Sequence, residues 1–196
     1  DQDKMNQQPT GSSAANTGGS FAALIAAYSV GGSSVKSSGA IRTLKGFSTG
    51  LNKETGPGTA NDAKGSANNA CIEPMFRTAK EYWGSGTFGD DIVSAALAGT
   101  GAYAGKKDIL RKEVAVKSSA YNVAGMYAIH EMEDAIVDCQ TGNAATPVVP
   151  DGGVHAWDEA VAFYAGSLEG TAAGGNAAGE MFYRLAEKRC ANYGTC

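Results

Sequence analysis

The amino-acid sequence predicts an all-α protein, a helical bundle of about four to six helices with long Gly/Ser-rich irregular segments. Apolar residues recur three and four positions apart in the longer segments, which is the spacing of one helix face. Glycines such as Gly84 and Gly142 close these segments. Alternation typical of a strand is short and lies in helical surroundings, as at residues 114–116. At 196 residues we expect a single helical domain, residues 1–196.

The N-terminal third carries the fewest apolar residues. Residues 1–19 are rich in Gln, Asn, Gly and Ser, so we expect a flexible N-terminal arm with almost nothing to bury. Ser20 is placed to cap a short helix that runs to Tyr28. Residues 31–66 predict irregular structure with one short helix near residues 40–51, because Gly, Ser, Thr and Lys dominate there.

The rest of the chain predicts longer helices. The dominant one runs from about Gly105 to Cys139, because Gly125 is its only glycine after the start and it contains no proline. Gly142 and the segment 147–153 then break the chain. The other predicted helices span residues 68–83, 90–97, 154–167 and 176–191.

Charge and hydropathy exclude two classes of partner. The net charge is −4 with only 16 Lys and Arg, and no basic cluster could neutralise a run of phosphates. Nucleic acid and anionic membrane surfaces are therefore disfavoured. The longest apolar run, residues 21–28, is far shorter than the roughly 18 to 20 residues that span a bilayer.

The four cysteines form an even set without the C-x-x-C spacing of a redox or zinc motif. Two structural disulfides in an exported protein are the favoured interpretation, and buried thiols are the alternative. Three connectivities are possible among Cys71, Cys139, Cys190 and Cys196.

Both histidines of the chain open the same pattern. His130 and His155 are each followed, three and four residues later, by two acidic residues. Positions three and four apart share a helix face, so each segment directs one imidazole and two carboxylates to nearly one side. Nitrogen and oxygen ligands without thiolate suit iron, manganese or zinc. The acidic residues are Glu133, Asp134, Asp158 and Glu159.

Polar residues around the first motif form one stripe on the long helix. A helix that is otherwise apolar almost all round is expected to be largely buried, and buried carboxylates need a proton or a cation. A metal ion would satisfy the stripe; the alternative is a solvated polar face in which His130 pairs with Asp134. The stripe covers an arc of roughly 100° and consists of Tyr127, His130, Glu131, Asp134 and Asp138.

The second motif lies on the helix predicted at residues 154–167. Its face continues into Ala162 and Gly166, small residues that would let a partner helix approach closely. The opposite side, which we expect to face the core, carries Trp157, Val161 and Tyr164. The alternative is an ordinary helix start, because the dipole favours acids in the first turns anyway.

Known catalytic motifs fit the chain poorly. Facing helices that project Glu and His inward occur in carboxylate-bridged metal bundles, but here His precedes the acids. The H-E-x-x-H motif of zinc proteases fails because Asp134 occupies the place of its second His. No G-x-S-x-G elbow, P-loop or dinucleotide fingerprint with flanking strands is present. A cysteine nucleophile is disfavoured in an exported protein with an even cysteine set.

Three segments carry a family resemblance: residues 127–135 (YAIHEMEDA), 155–170 (HAWDEAVAFYAGSLEG) and 186–196 (AEKRCANYGTC). They are similar to the algal iron-assimilation proteins, also described as high-carbon-dioxide-inducible periplasmic proteins. The likeness covers mainly residues 120–196. It implies a secreted protein, induced under iron limitation, that binds iron outside the cell to aid uptake.

We therefore expect a secreted, periplasmic iron-binding protein that captures iron, with manganese or zinc as alternative metals, and supplies a cell-surface iron uptake system. Acidification would release the ion by protonating its ligands. The alternatives are a ferroxidase-like non-haem iron or manganese oxidase and a metal-free extracellular structural module. The predicted ligands are His130, Glu131, Glu133, Asp134, His155, Asp158 and Glu159.

Overall fold

In a computed structural model of the protein, the structure describes residues 1–6, 21–36, 38–54, 74–140, 152–166 and 181–196. The all-α prediction is confirmed, because these residues form helices and no strand. The nearest approach to a sheet is an isolated antiparallel bridge between Val35 and Ile41.

Nine α-helices are found in the described part of the chain. They are α1 (Gln2–Asn6), α2 (Phe21–Ile25), α3 (Leu44–Glu54), α4 (Pro74–Trp83), α5 (Phe88–Ala98), α6 (Asp108–Ser118), α7 (Met126–Gln140), α8 (Gly153–Ala165) and α9 (Met181–Tyr193). π-Helical segments follow α2 (Ala26–Val30) and join α6 to α7 (Ser119–Gly125), and a 3₁₀ turn spans Gly101–Tyr103.

Most predicted helices agree with these bounds. The long helix is present as α6, the π-helical segment and α7 in direct succession, and Gly125 ends the π-helical segment. Gly166, with a φ of 69°, ends α8 slightly before the predicted end. The predictions for residues 68–73, 176–180 and the Ser20 cap lie outside the described residues.

The prediction of a flexible N-terminal arm is wrong for its first residues. Residues 2–6 form α1, and Met5 is fully buried. The amide of Gln2 donates to the carbonyl oxygen of Val116 at 3.1 Å and accepts a hydrogen bond from the Ser119 hydroxyl at 2.7 Å. One apolar anchor and one satisfied buried amide are enough to fix this turn, whereas composition alone predicts a loose arm. The remainder of the predicted arm, residues 7–19, lies outside the described residues.

The chain divides into two compact units, Asp1–Asn52 with Lys80–Ala124 and Lys53–Ala79 with Gly125–Cys196. The first unit has a core of buried apolar side chains that includes Leu24, Tyr28, Val93 and Val123. A single domain over residues 1–196 stays a prediction.

In the second unit, α7 and α8 pack antiparallel. The start of α8 lies against the end of α7, where a Cβ at Gly153 would come within 2.7 Å of the Ala135 carbonyl oxygen. Towards the other ends, the rings of Tyr127 and Phe163 meet edge to face with centroids 4.8 Å apart. Helix α9 packs on α8, with Tyr164 stacked on Phe182 at 6.1 Å.

The prediction of which side of α8 faces the core is wrong. Trp157, Val161 and Tyr164 are all exposed. The buried positions are Gly153, Ala156, Ala160 and Ala165. Close approach to α7 requires small residues, so α8 buries its glycine and alanines and leaves the larger side chains outside. The small-residue contact was expected at Ala162 and Gly166, but Ala162 is exposed.

One of the two expected disulfides is present, between Cys190 and Cys196, whose Cα atoms lie 4.8 Å apart. Cys139 is an exposed free thiol, and Cys71 lies outside the described residues. No helix in the described ranges is long and apolar enough to cross a bilayer.

Candidate functional site

Three of the five residues in the polar stripe of α7 are buried. Asp138 is fully buried, and His130 and Glu131 are only 4% and 7% exposed. Ile136, by contrast, is 51% exposed. The expectation of a buried stripe is therefore confirmed for these three residues, whereas Tyr127 and Asp134 are partly exposed. Burying imidazole and carboxylate while exposing isoleucine reverses the ordinary order of hydropathy.

The packing of α7 on α8 brings two glutamates near each other. Because the helices are antiparallel, Glu159 of α8 lies between the contacts at Gly153 and Phe163 and faces the middle of α7. There its charge acts on the carboxyl of Glu131. Asp134, one turn further along α7, also acts on Glu131. Three carboxyl groups therefore share one electrostatic neighbourhood.

Glu131 is the perturbed group of this neighbourhood. The pKa of Glu131 is raised from 4.5 to about 7, chiefly by burial and also by the charges of Glu159 and Asp134. The neighbouring His130 and a hydrogen bond from Tyr127 oppose the shift. At neutral pH the Glu131 carboxyl is thus poised between its protonated and charged forms.

Tyr127 orients this cluster. Its hydroxyl donates a hydrogen bond to the Glu131 carboxyl one turn away. Its ring packs on Phe163 of α8 and lies 5.3 Å from the imidazole of His130. Tyr127 belongs to the polar stripe predicted from the sequence, but no role was predicted for it. The i,i+4 spacing to Glu131 was the available signal.

His155 extends the cluster towards solvent. Its Nε2 lies 3.5 Å from Oε1 of Glu159, and half of its side chain is exposed. Glu159 therefore lies between the exposed imidazole of His155 and the buried carboxyl of Glu131.

Five of the seven predicted ligands fall in one region: His130, Glu131, Asp134, His155 and Glu159. The other two are not among the groups that act on the Glu131 carboxyl. Asp158 is exposed, and Glu133, three positions after His130, stays a predicted ligand. Asp138, which is in the stripe but outside the predicted ligand set, is more deeply buried than any of the seven.

The cluster is not a closed metal cage. Among the described residues, no group of three or more His, Cys, Asp or Glu side chains is arranged so that it could hold a metal ion. The geometry instead offers a carboxylate pair across two helices with imidazoles at either side.

The chain matches the model of a known protein family. The family described as Fea1, low iron-inducible periplasmic protein, matches residues 10–187. No curated protein and no solved structure matches the chain. The family description confirms the expected resemblance to iron-assimilation proteins and the expected secreted, periplasmic localisation. The chain belongs to the Fea1 family of low iron-inducible periplasmic proteins.

Proposed function

We propose that this protein captures iron outside the cell and holds it between α7 and α8 for assimilation. The ligands would come from Glu131, Glu159, His130, Asp134 and His155. Carboxylate and imidazole are suitable ligands for iron, and the family description links the chain to low iron.

The observation that carries this proposal is the buried Glu131 beside Glu159. A buried carboxylate next to a second carboxylate is costly unless a proton or a cation compensates the charge. With a pKa of about 7, Glu131 is partly protonated at neutral pH. A bound iron ion would replace that proton and stabilise both carboxylates, so binding releases protons and acidification releases iron.

This arrangement of ligands suits iron that is bound and released again better than iron held as a permanent cofactor. Because no three candidate side chains converge among the described residues, water would complete the coordination of the ion. Ligands that are few and partly exposed, such as His155, allow exchange. The captured iron would then pass to a cell-surface uptake system.

Iron content after loading tests the proposal. The protein is loaded with ferric citrate at pH 7.5 and desalted, and iron per chain is measured by mass spectrometry. We expect stoichiometric iron in the wild-type chain and at least tenfold weaker retention in Glu131→Gln and Glu159→Gln. The matched control is Glu187→Gln, which removes an exposed carboxylate of α9 that pairs with Arg184.

The outcomes separate the alternatives. A wild-type chain without iron would overturn capture and favour a structural module. Full retention in both glutamine variants would place the iron elsewhere in the chain. Oxygen uptake on adding ferrous iron, with turnover beyond one equivalent, would identify a ferroxidase instead of a carrier.

A further inference from the structure

A surface pocket of about 370 Å³ lies in the unit that contains residues 80–124. Trp83, Tyr103 and Tyr121 contribute aromatic walls, and Glu113 and Lys117 contribute charged groups. None of the proposed iron ligands belongs to this pocket.

The aromatic wall is held in position while part of it stays in contact with solvent. The indole of Trp83 stacks on Phe88, with ring centroids 6.2 Å apart and planes 7° from parallel. Phe88 is buried, yet Trp83 remains 49% exposed and Tyr121 39% exposed. A stacked ring loses little further conformational freedom on binding, so it is a preorganised apolar surface.

The polar part of the pocket carries donors and acceptors but no net charge. Nζ of Lys117 lies 2.8 Å from Oε2 of Glu113, one turn apart on α6. The Asn122 amide donates to the Ser118 hydroxyl at 2.8 Å. Because the two charges compensate each other, neither a free cation nor a free anion is favoured. Groups that both donate and accept hydrogen bonds suit this set best.

We propose that this pocket binds a neutral saccharide of one or two sugar rings. A sugar ring has an apolar C–H face, which packs on the electron-rich face of an aromatic ring, and a rim of hydroxyls that donate and accept. Trp83 and Tyr121 supply the stacking surface, and Glu113, Lys117 and Asn122 supply the hydrogen bonds. The pocket volume lies near the lower end of the range of about 300 to 1,000 Å³ for small-molecule sites.

The rival ligand is a quaternary ammonium group, which aromatic cages also recognise. The structure favours the sugar because Glu113, the acidic residue that lines the pocket, is paired with Lys117, so the lining offers no net negative charge to a cation.

Tryptophan fluorescence offers a selective readout. The chain has two tryptophans, so Trp157→Phe leaves Trp83 as the only tryptophan. This variant is titrated with cellobiose, maltose, lactose and mannobiose in the presence of a metal chelator, and binding is verified by calorimetry. We expect a saturable change with at least one disaccharide and none with tetramethylammonium or sulfate. Binding of tetramethylammonium alone, or of no disaccharide, overturns the proposal.

Variants connect the binding to the pocket. Measured by calorimetry, Trp83→Ala and Tyr121→Ala are expected to weaken disaccharide binding about tenfold. Tyr193→Ala, which removes an exposed tyrosine of the other unit, is the control and should bind like the wild-type chain. Glu113→Gln preserves side-chain volume, so it tests the pocket even if an alanine variant fails to fold. Unchanged affinity in Tyr121→Ala and Glu113→Gln overturns the assignment.

The sugar could be free or part of a surface glycan. Co-sedimentation with an insoluble polysaccharide built from the preferred sugar, reversed by the soluble disaccharide, identifies a glycan source. Disaccharide binding without co-sedimentation identifies a free sugar. Neither result depends on iron, because chelator is present throughout.

Discussion

Glu131 combines two properties that a surface glutamate lacks. Its carboxyl is buried, and it lies among His130, Asp134 and Glu159, whose charges act on it in opposite directions. Its protonation state is therefore coupled to folding as well as to any cation that binds. When metal is removed, the dependence of the free energy of unfolding on pH reports only the coupling between folding and the protonation of Glu131.

Glu131→Gln should remove a pH dependence of stability. The pKa of Glu131 is raised from 4.5 to about 7 in the folded chain, so the folded state holds its proton more tightly than the unfolded state. This contribution to stability is fully present below about pH 4.5 and is lost as pH rises through about 7, by roughly 3 kcal/mol. The free energy of unfolding in urea, with chelator, at pH 5 and pH 8 measures it.

Glutamine resembles the protonated acid, so Glu131→Gln should be the more stable chain at pH 8 and close to wild type at pH 5. Glu187→Gln, at an exposed position, serves as the control. A Glu131→Gln chain that keeps the full wild-type pH dependence would contradict the burial effect.

Tyr127→Phe tests the hydrogen bond in the same cluster. The hydroxyl of Tyr127 stabilises the charged form of Glu131, so its removal should raise the pKa of Glu131 further. The ring contacts with Phe163 and His130 would remain. The pH midpoint of the stability loss, measured as above, should therefore move upward. A downward movement would show that the hydroxyl does not favour the carboxylate.

At the scale of the element, the contact between α7 and α8 depends on Gly153. An added Cβ there would meet the Ala135 carbonyl oxygen at 2.7 Å and Sγ of Cys139 at 2.8 Å. Backbone cannot yield as a flexible side chain does, so Gly153→Ala should cost about 1–3 kcal/mol. Gly50→Ala is the contrast, since nothing lies within 4 Å of its Cβ position in α3. That change should stabilise the chain by up to about 1 kcal/mol.

Urea unfolding of the two alanine variants at one pH checks the pair. Equal effects would mean that the close approach of the helices is not what constrains Gly153.

Sequence patterns predicted helices better than helix faces. The long helix was predictable because proline is absent from residues 105–139 and glycine occurs only once after the first position. The buried stripe around Glu131 followed from its spacing. The buried face of α8 was mispredicted because the large apolar side chain of Trp157 was expected to be buried in preference to alanine. Close packing against α7 instead requires small side chains. The short helix α1 gave no signal beyond Met5, whose burial depends on contacts distant in sequence.

Part of the site was predictable from the spacing of its residues along α7. Spacing along α7 linked Asp134 to both His130 and Glu131, which lie four and three positions before it on the helix. The choice between Asp158 and Glu159 needed the register of α8 against α7, which a single sequence does not contain. The role of each as an iron ligand stays a prediction.

At the scale of the whole molecule, the two proposed sites use different compact units. The iron ligands lie in the unit containing Gly125–Cys196, and the saccharide pocket lies in the unit containing Lys80–Ala124. A ligand that binds the folded state stabilises it, by about 2.7 kcal/mol at a hundred times its dissociation constant. Each ligand should therefore protect its own unit most strongly.

Hydrogen exchange with peptide-level mass spectrometry can separate the two sites in one sample. Iron should slow amide exchange in α7 and α8, because it would hold Glu131 and Glu159 together, and a chelator should reverse this. The preferred disaccharide should slow exchange around α6 and Trp83 instead. In the double variant Glu131→Gln, Glu159→Gln the iron effect should vanish while the disaccharide effect persists. Protection by iron confined to residues 80–124 would contradict the proposed iron site and leave the saccharide pocket to be judged by its own titrations.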